Sequence, residues 1–240
     1  GLRWGFEAGI LKEKVLRKGV RLFRNYPAAE VDHHAKVAAA IQKRVDEGRS
    51  IDLGPWSHGV SAFQRLLRRV FGAAFCFPLN AVPKRLEPDV VRPVSDHTRT
   101  GLNDHDSVLL GLLRHSIHAY DEIAEQFTAG RCMHVSDVEA AFTMLPLAPW
   151  LYPFFFFRFS MVKGGPEHVF FHVTGDFGTR GFPGVFKVFF VDVFQRMACS
   201  EGLLRQPLIT FVDDSAAIGA PAKMVAREME SSRARALSMI

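Results

Sequence analysis

The chain has 240 residues, of which 48% are hydrophobic and 23% are charged, and its formal net charge is +5. This composition is that of a globular protein and excludes a chain that is disordered throughout. Three cysteines without paired spacing exclude a disulfide framework and a four-cysteine zinc site. The longest apolar run, residues 145–157, contains three prolines and is too short to span a bilayer.

The positive charge is concentrated at the start of the chain. Residues 1–27 contain seven lysines and arginines and two glutamates, so a basic arm precedes a nearly neutral body. Such an arm fits either a polyanionic partner or an ordinary solvated segment. No charged-then-apolar leader opens the sequence, so we expect an intracellular protein, in the cytoplasm or the nucleus, with no membrane partner. The sequence starts with Gly1 rather than Met, so we expect it to be a piece of a larger polyprotein.

Apolar spacing predicts mainly helices in the first half of the chain. Three- and four-residue steps predict a helix over residues 29–47, a short helix around residues 63–70 and a longer helix over residues 106–127. The rest of residues 49–80 gives no clear pattern. Strands are expected at residues 80–83 and 90–94.

Strands become frequent in the second half. A strand is predicted at residues 132–137, a hairpin at 154–173, a helix at 182–199, paired strands at 208–212 and 215–218, and a last helix at 221–237. Helices followed by hairpins predict an α+β fold with an antiparallel sheet packed on helices, rather than repeated β–α–β units.

Two adjacent carboxylates, Asp213 and Asp214, directly follow the predicted apolar strand 208–212. If both point into one site, a divalent cation is the usual compensation for their repulsion. Asp137 ends another apolar strand and offers a third carboxylate. Three carboxylates on neighbouring strand ends can hold two cations about 3.5–4 Å apart, which suits nucleotidyl transfer. The alternative is that Asp-Asp is an ordinary turn dipeptide.

Five segments in chain order resemble motifs of retroelement reverse transcriptases. They are Asn80–Arg85, Arg92–Asp104, Ser136–Pro149, Gly175–Phe186 and Phe211–Asp214. The first two resemble the fingers strands, the next two resemble the first and second palm motifs, and the last resembles the aromatic-x-Asp-Asp box. The third segment is similar to both hepadnavirus polymerases and retrotransposons that carry tyrosine recombinases, and the second segment favours a retrotransposon.

The resemblance implies a right-hand polymerase fold. The basic arm would cover residues 1–28, the fingers 29–105, the palm with its antiparallel sheet 106–220, and a truncated palm helix 221–240. A thumb is expected to be absent. Asp176 stands where the family usually has Pro. A carboxylate there suits a nucleotide site only if it points away from the nucleotide.

The resemblance also implies roles for individual residues. Asp137 and Asp213 would bind two Mg²⁺ ions, or Mn²⁺ in their place, with Asp214 and the Val138 carbonyl assisting. Phe142 would be the aromatic gate that excludes a 2′-hydroxyl; without the resemblance it reads as a core ring. The residues that would contact the triphosphate, the nascent base pair and the template are Lys84, Arg85, Arg92, Phe177 and Gly178.

The resulting hypothesis is an RNA-directed DNA polymerase, a nucleotidyltransferase that adds dNTPs to a primer on an RNA or DNA template. The alternative is a catalytically inactive, retroelement-derived module that binds nucleic acid without synthesis. A third interpretation, an RNA polymerase of the viral type, fits less well because that class lacks an aromatic gate where this chain has Phe142.

Overall fold

The computed structural model describes residues 5–85, 87, 89–109, 124, 132–137, 141–188, 193, 195–201, 209–211 and 214–219. The chain divides into two compact units. The first contains residues 1–113 and 142–182, and the second contains residues 114–141 and 183–240.

The helices and strands follow one another along the chain. They are α1 (Lys12–Leu16), β1 (Val20–Leu22), a π-helical turn (Ala28–Asp32), α2 (His34–Asp46), β2 (Ser50–Pro55), α3 (Gly59–Phe71), β3 (Ala74–Cys76), β4 (Leu79–Pro83), β5 (Val91–Ser95), α4 (His97–Thr100), β6 (Cys132–Asp137), a 3₁₀ turn (Ala141–Met144), a second 3₁₀ turn (Pro149–Phe154), β7 (Phe156–Ser160), β8 (Glu167–His172), α5 (Gly181–Phe186), α6 (Gln195–Ser200), β9 (Ile209–Phe211) and β10 (Asp214–Gly219).

Helices α2 and α3 form where their apolar spacing predicts them. Val37, Ala38 and Ile41 of α2 are buried, and the basic last turn suits the negative end of the helix dipole. In α3, Phe63 and Leu67 are buried in one apolar cluster with residues of β3, β7 and β8. The predictions of helices at these two places are therefore confirmed.

A five-stranded sheet in the order β1-β3-β7-β8-β2 is the framework of the first unit. The predicted β7–β8 hairpin is confirmed, and its Phe157 and Phe170 rings stack at 5.0 Å. The expectation of an antiparallel sheet is wrong for this sheet, because β1–β3 and β3–β7 are parallel pairs. β1 and β3 are only three residues long, too short to show the alternation that reveals a strand in a sequence.

Two smaller sheets are antiparallel and match the predicted strands. In the first unit β4 pairs with β5, and in the second unit the order is β6-β10-β9. The predicted helix 182–199 is described at its two ends as α5 and α6. The predicted helices 106–127 and 221–237 lie outside the described residues. Within the described part of the chain, no helix is both long and apolar enough to cross a membrane.

Candidate functional site

The acidic residues are placed by the β6–β10 pair. Asp137 is the last residue of β6, Asp214 is the first residue of β10, and the two are direct partners in the antiparallel register. Asp214 also pairs with Phe211 of β9. Direct partners in such pairs have Cα atoms about 4.5–5.5 Å apart. Asp213 and Val138 lie outside the described residues.

The register places two acidic residues directly opposite each other. Like charges directly opposite each other on antiparallel strands destabilise the pairing. A bound cation with a preference for oxygen ligands offsets that repulsion, as Mg²⁺ or Mn²⁺ does. The register therefore brings two residues with oxygen ligands to directly paired positions, and cation binding there stays a prediction.

The first unit brings Phe142 and Phe177 together. Their rings meet edge to face with centroids 5.6 Å apart, and Phe142 is 8% exposed. Gly175 lies directly against the Phe142 carbonyl oxygen, where a β-carbon would clash. Gly175 N–H also donates to the Leu145 carbonyl at 2.8 Å. Two segments predicted from separate motifs are therefore packed against each other in this unit.

The turn at Phe177 and Gly178 is pressed against the end of β5. Ser95 N–H donates to the Phe177 carbonyl at 3.1 Å, and Asn103 Nδ2 donates to the Gly178 carbonyl at 2.6 Å. Gly178 has a φ of +145°, and a β-carbon there would collide with the Ser95 carbonyl oxygen. This position therefore requires glycine both for its backbone conformation and for its close approach to β5.

Asp176 is buried, with only 1% of the residue exposed. His97 Nε2 lies 2.8 Å from Asp176 Oδ2, and the Thr179 hydroxyl donates to Asp176 Oδ1 at 2.7 Å. Burial alone would raise the pKa of this carboxyl, but the charge and hydrogen bond of His97, with help from His172 and Ser95, outweigh burial and hold the pKa below its ordinary value. The carboxylate thus points into the protein.

His172 and Arg44 complete the polar cluster around Asp176. His172 Nδ1 is 2.7 Å from the Ser50 hydroxyl, and His172 Nε2 is 3.9 Å from Asp176 Oδ2. Burial and the nearby Arg44 charge lower the pKa of His172 well below its ordinary value, although Asp176 opposes this. Arg44 donates to the Gly175 carbonyl at 3.1 Å, and burial lowers its pKa to about 10, so it stays charged near neutral pH.

The cations predicted to contact a triphosphate lie on the β4–β5 hairpin. Arg92 is the register partner of Val82 and is exposed, as is Arg85. Lys84 is half-buried and pairs with Glu87 at 3.4 Å. The structure thus places all three cations at the end of the hairpin where β4 leads into β5.

Two cations of the basic arm contact the end of α4 and the turn that follows it. Lys18 forms an ion pair with Asp104 at 2.6 Å, and Arg21 donates to the Thr100 carbonyl at 3.0 Å. These two charges take part in interactions within the first unit. Polyanion binding by the arm stays a prediction.

Sequence reasoning did not identify His97, His172 or Asn103 as part of the site. The available signal was Asp176, because a carboxylate where the family usually has Pro needs a partner if it is buried. His97 and Asn103 lie in the segment that resembles the fingers strands, so both ends of the contact were in segments already singled out.

Comparison with known proteins gives a likeness to solved structures but not to a sequence family. No family model matches the sequence, and no curated protein matches it. The crystal structure of the prototype foamy virus protease-reverse transcriptase in its native form is similar, with a TM-score of 0.56 and 15% sequence identity. The match covers 90% of this chain and 23% of that chain. The fold resembles a region of a retroviral reverse transcriptase. The chain spans about a quarter of the length of the protein it resembles.

Proposed function

We propose that this chain is the fingers-and-palm region of an RNA-directed DNA polymerase that adds dNTPs to a primer 3′-end on an RNA or DNA template. The observation that carries the proposal is the β6–β10 register, in which Asp137 and Asp214 are direct partners. The reverse-transcriptase-like fold supports the proposal. A second support is that Asp137 and Asp214 belong to segments that resemble the palm motifs of that family.

Asp137, Asp213 and Asp214, with the Val138 carbonyl, would hold two Mg²⁺ or Mn²⁺ ions. When bound, these ions activate the attacking 3′-oxygen and stabilise the leaving pyrophosphate. The protein's contribution would include the register of β6 and β10, which pairs two of these residues, Asp137 and Asp214.

The first unit supplies groups suited to the incoming nucleotide. Arg92, Lys84 and Arg85 would bind the triphosphate, since two exposed guanidinium groups and a half-buried ammonium group supply the positive charge that phosphate oxygens match. Phe142 would exclude a 2′-hydroxyl by its bulk, and its edge contact with Phe177 limits how far the ring can move aside. Phe177 and Gly178 would lie against the nascent base pair and the template.

The test is primer extension by the full chain on an RNA template with Mg²⁺ and dNTPs. We expect extension by the wild type and a loss of about 10³-fold or more in Asp137→Asn and Asp213→Asn, because each variant removes a charged cation ligand. Asp46→Asn, on the exposed side of α2, is the matched control and should retain activity.

Two results would contradict the proposed DNA polymerase function. If the wild type and Asp213→Asn bind primer–template with equal affinity and neither extends it, the chain is a nucleic-acid-binding module without synthesis. A wild type that incorporates NTPs as well as dNTPs would instead favour an RNA polymerase of the viral type.

A further inference from the structure

The Asp176 carboxylate connects two segments that are far apart in the sequence. One oxygen accepts from Thr179 and so closes the turn that Asp176 itself begins. The other oxygen accepts from His97, at the start of α4. A single buried group thus sets the shape of the turn and ties the turn to the end of β5.

Asp176 also determines the orientation of the His97 ring. The ring lies between Phe77 and Phe155, with centroid distances of 4.6 and 4.9 Å, and is fully buried. Its Nδ1 is buried and has no hydrogen-bond partner among the described residues, so the hydrogen bond from Nε2 to Asp176 determines which way the ring faces. An uncharged acceptor in place of the carboxylate would weaken this hydrogen bond to a buried imidazole that has no other, which is costly in the protein interior.

The turn held in this way carries Phe177 and Gly178. Both of their carbonyls accept hydrogen bonds from the same neighbouring segment, from Ser95 N–H and Asn103 Nδ2. Arg180 N–H donates back to Asn103 Oδ1 at 3.0 Å. The position of the Phe177 ring, and therefore its edge contact with Phe142, depends on this set of contacts.

We propose that His97 and Asp176 are positioning residues that hold the Phe177–Gly178 turn in place for the incoming nucleotide without touching the nucleotide themselves. The link to the nucleotide rests on the proposed polymerase function. The positioning of the turn does not, because it follows from contacts within the first unit alone.

The chain offers a matched control. Asp52 and His168 form another Asp–His pair in the same unit, with Asp52 Oδ2 2.9 Å from His168 Nδ1, on the β2–β8 pair. Asp52→Asn removes the same charge as Asp176→Asn. Because this pair is more exposed, the variant controls for the loss of one negative charge from the unit, without acting on the turn.

The first experiment measures amide hydrogen exchange in the full chain by NMR. The reporters are the amide protons of Ser95 and Arg180, which are bonded to the turn and to its neighbour Asn103. In Asp176→Asn we expect both to exchange about ten-fold faster or more, with no change in Asp52→Asn. His97→Leu should act like Asp176→Asn, and His97→Gln, whose amide can still donate to the carboxylate, should restore much of the protection.

The second experiment measures steady-state primer extension with the same variants. We expect the KM for dNTP to rise about ten-fold in Asp176→Asn and His97→Leu, with a smaller change in kcat, and to return towards wild type in His97→Gln.

Unchanged exchange at Ser95 and Arg180 in folded Asp176→Asn and His97→Leu overturns the positioning role. Faster exchange with an unchanged KM overturns the link to the nucleotide. A wild type that does not extend primers counts against the polymerase function alone, and the exchange data still decide the positioning role.

Discussion

Gly178 is required both by the backbone conformation of the turn and by its packing against β5. Its φ of +145° disfavours any side chain, and a β-carbon would meet the Ser95 carbonyl oxygen. For Gly178→Ala we expect a loss of about 3 kcal/mol in the free energy of unfolding, from backbone strain and from displacement of β5. Gly164 is the control: it has a φ of +77° but open space around it, so Gly164→Ala should cost only about 1 kcal/mol. Urea unfolding of both variants makes the comparison, and equal losses would contradict the close packing of the turn.

Phe142 has two interpretations, as a gate and as a core ring, that one experiment can separate. As a gate it selects dNTP over NTP, and as a core ring it only contributes stability. In Phe142→Val we expect the ratio of NTP to dNTP incorporation to rise about ten-fold or more, because the smaller side chain leaves room for a 2′-hydroxyl. Phe159→Val, at a core ring that is 1% exposed, should destabilise the protein without altering the ratio. If the two variants give the same ratio, Phe142 is a core residue only.

At the scale of elements, the packing of β8 against β2 predicts a pH dependence. His172 on β8 is buried and faces Ser50 of β2, Arg44 of α2, His97 of α4 and Asp176, and its pKa is held well below the ordinary value. Below about pH 6.5 the unfolded chain binds a proton at this histidine and the folded chain does not. The free energy of unfolding should therefore rise with pH up to about 6.5, and on acidification it should fall by about 1.4 kcal/mol per pH unit for this group.

Denaturant unfolding between pH 5 and pH 7.5 measures that slope. His172→Gln should flatten it, whereas replacement of the exposed His58 by Gln should leave it unchanged. The titration of Asp176 does not affect this slope. Because the pKa of Asp176 is lowered in the folded state, its contribution to the free energy of unfolding is complete above about pH 4 and is lost only in more acidic solution. A slope that survives in His172→Gln would show that another group carries the dependence.

The elements also show what a sequence reveals of a fold and what it leaves out. Helix α2, the separate strands β4 and β5 and the β7–β8 hairpin were predicted because each carries its own period or turn signal within a few residues. The parallel pairing of β1 with β3 was not, because three-residue strands have no period and their partners are far away in sequence. The His97–Asp176 bond was missed for a related reason: its two ends are 79 residues apart, and although Asp176 departs from the family's Pro, nothing in the sequence shows that His97 is its partner.

At the scale of the whole molecule, the β6–β10 register predicts how a cation acts on global stability. Asp137 and Asp214 are direct partners, so we expect that in the absence of metal the repulsion between two like charges at these positions disfavours the folded state. A cation that binds only the folded chain stabilises it by mass action. At 10 mM Mg²⁺ and a Kd on the order of 1 mM, the expected gain is about 1.4 kcal/mol.

Asp137→Asn should reverse both effects. In EDTA the variant should be more stable than the wild type, because one of two opposed charges is gone, and on addition of 10 mM Mg²⁺ it should gain little or nothing. Asp46→Asn should respond to Mg²⁺ as the wild type does. Thermal unfolding with and without Mg²⁺ tests this without any need for polymerase activity. A wild type and Asp137→Asn that respond equally to the metal would mean that the paired aspartates do not share a cation, and the two-metal proposal would then lose its basis.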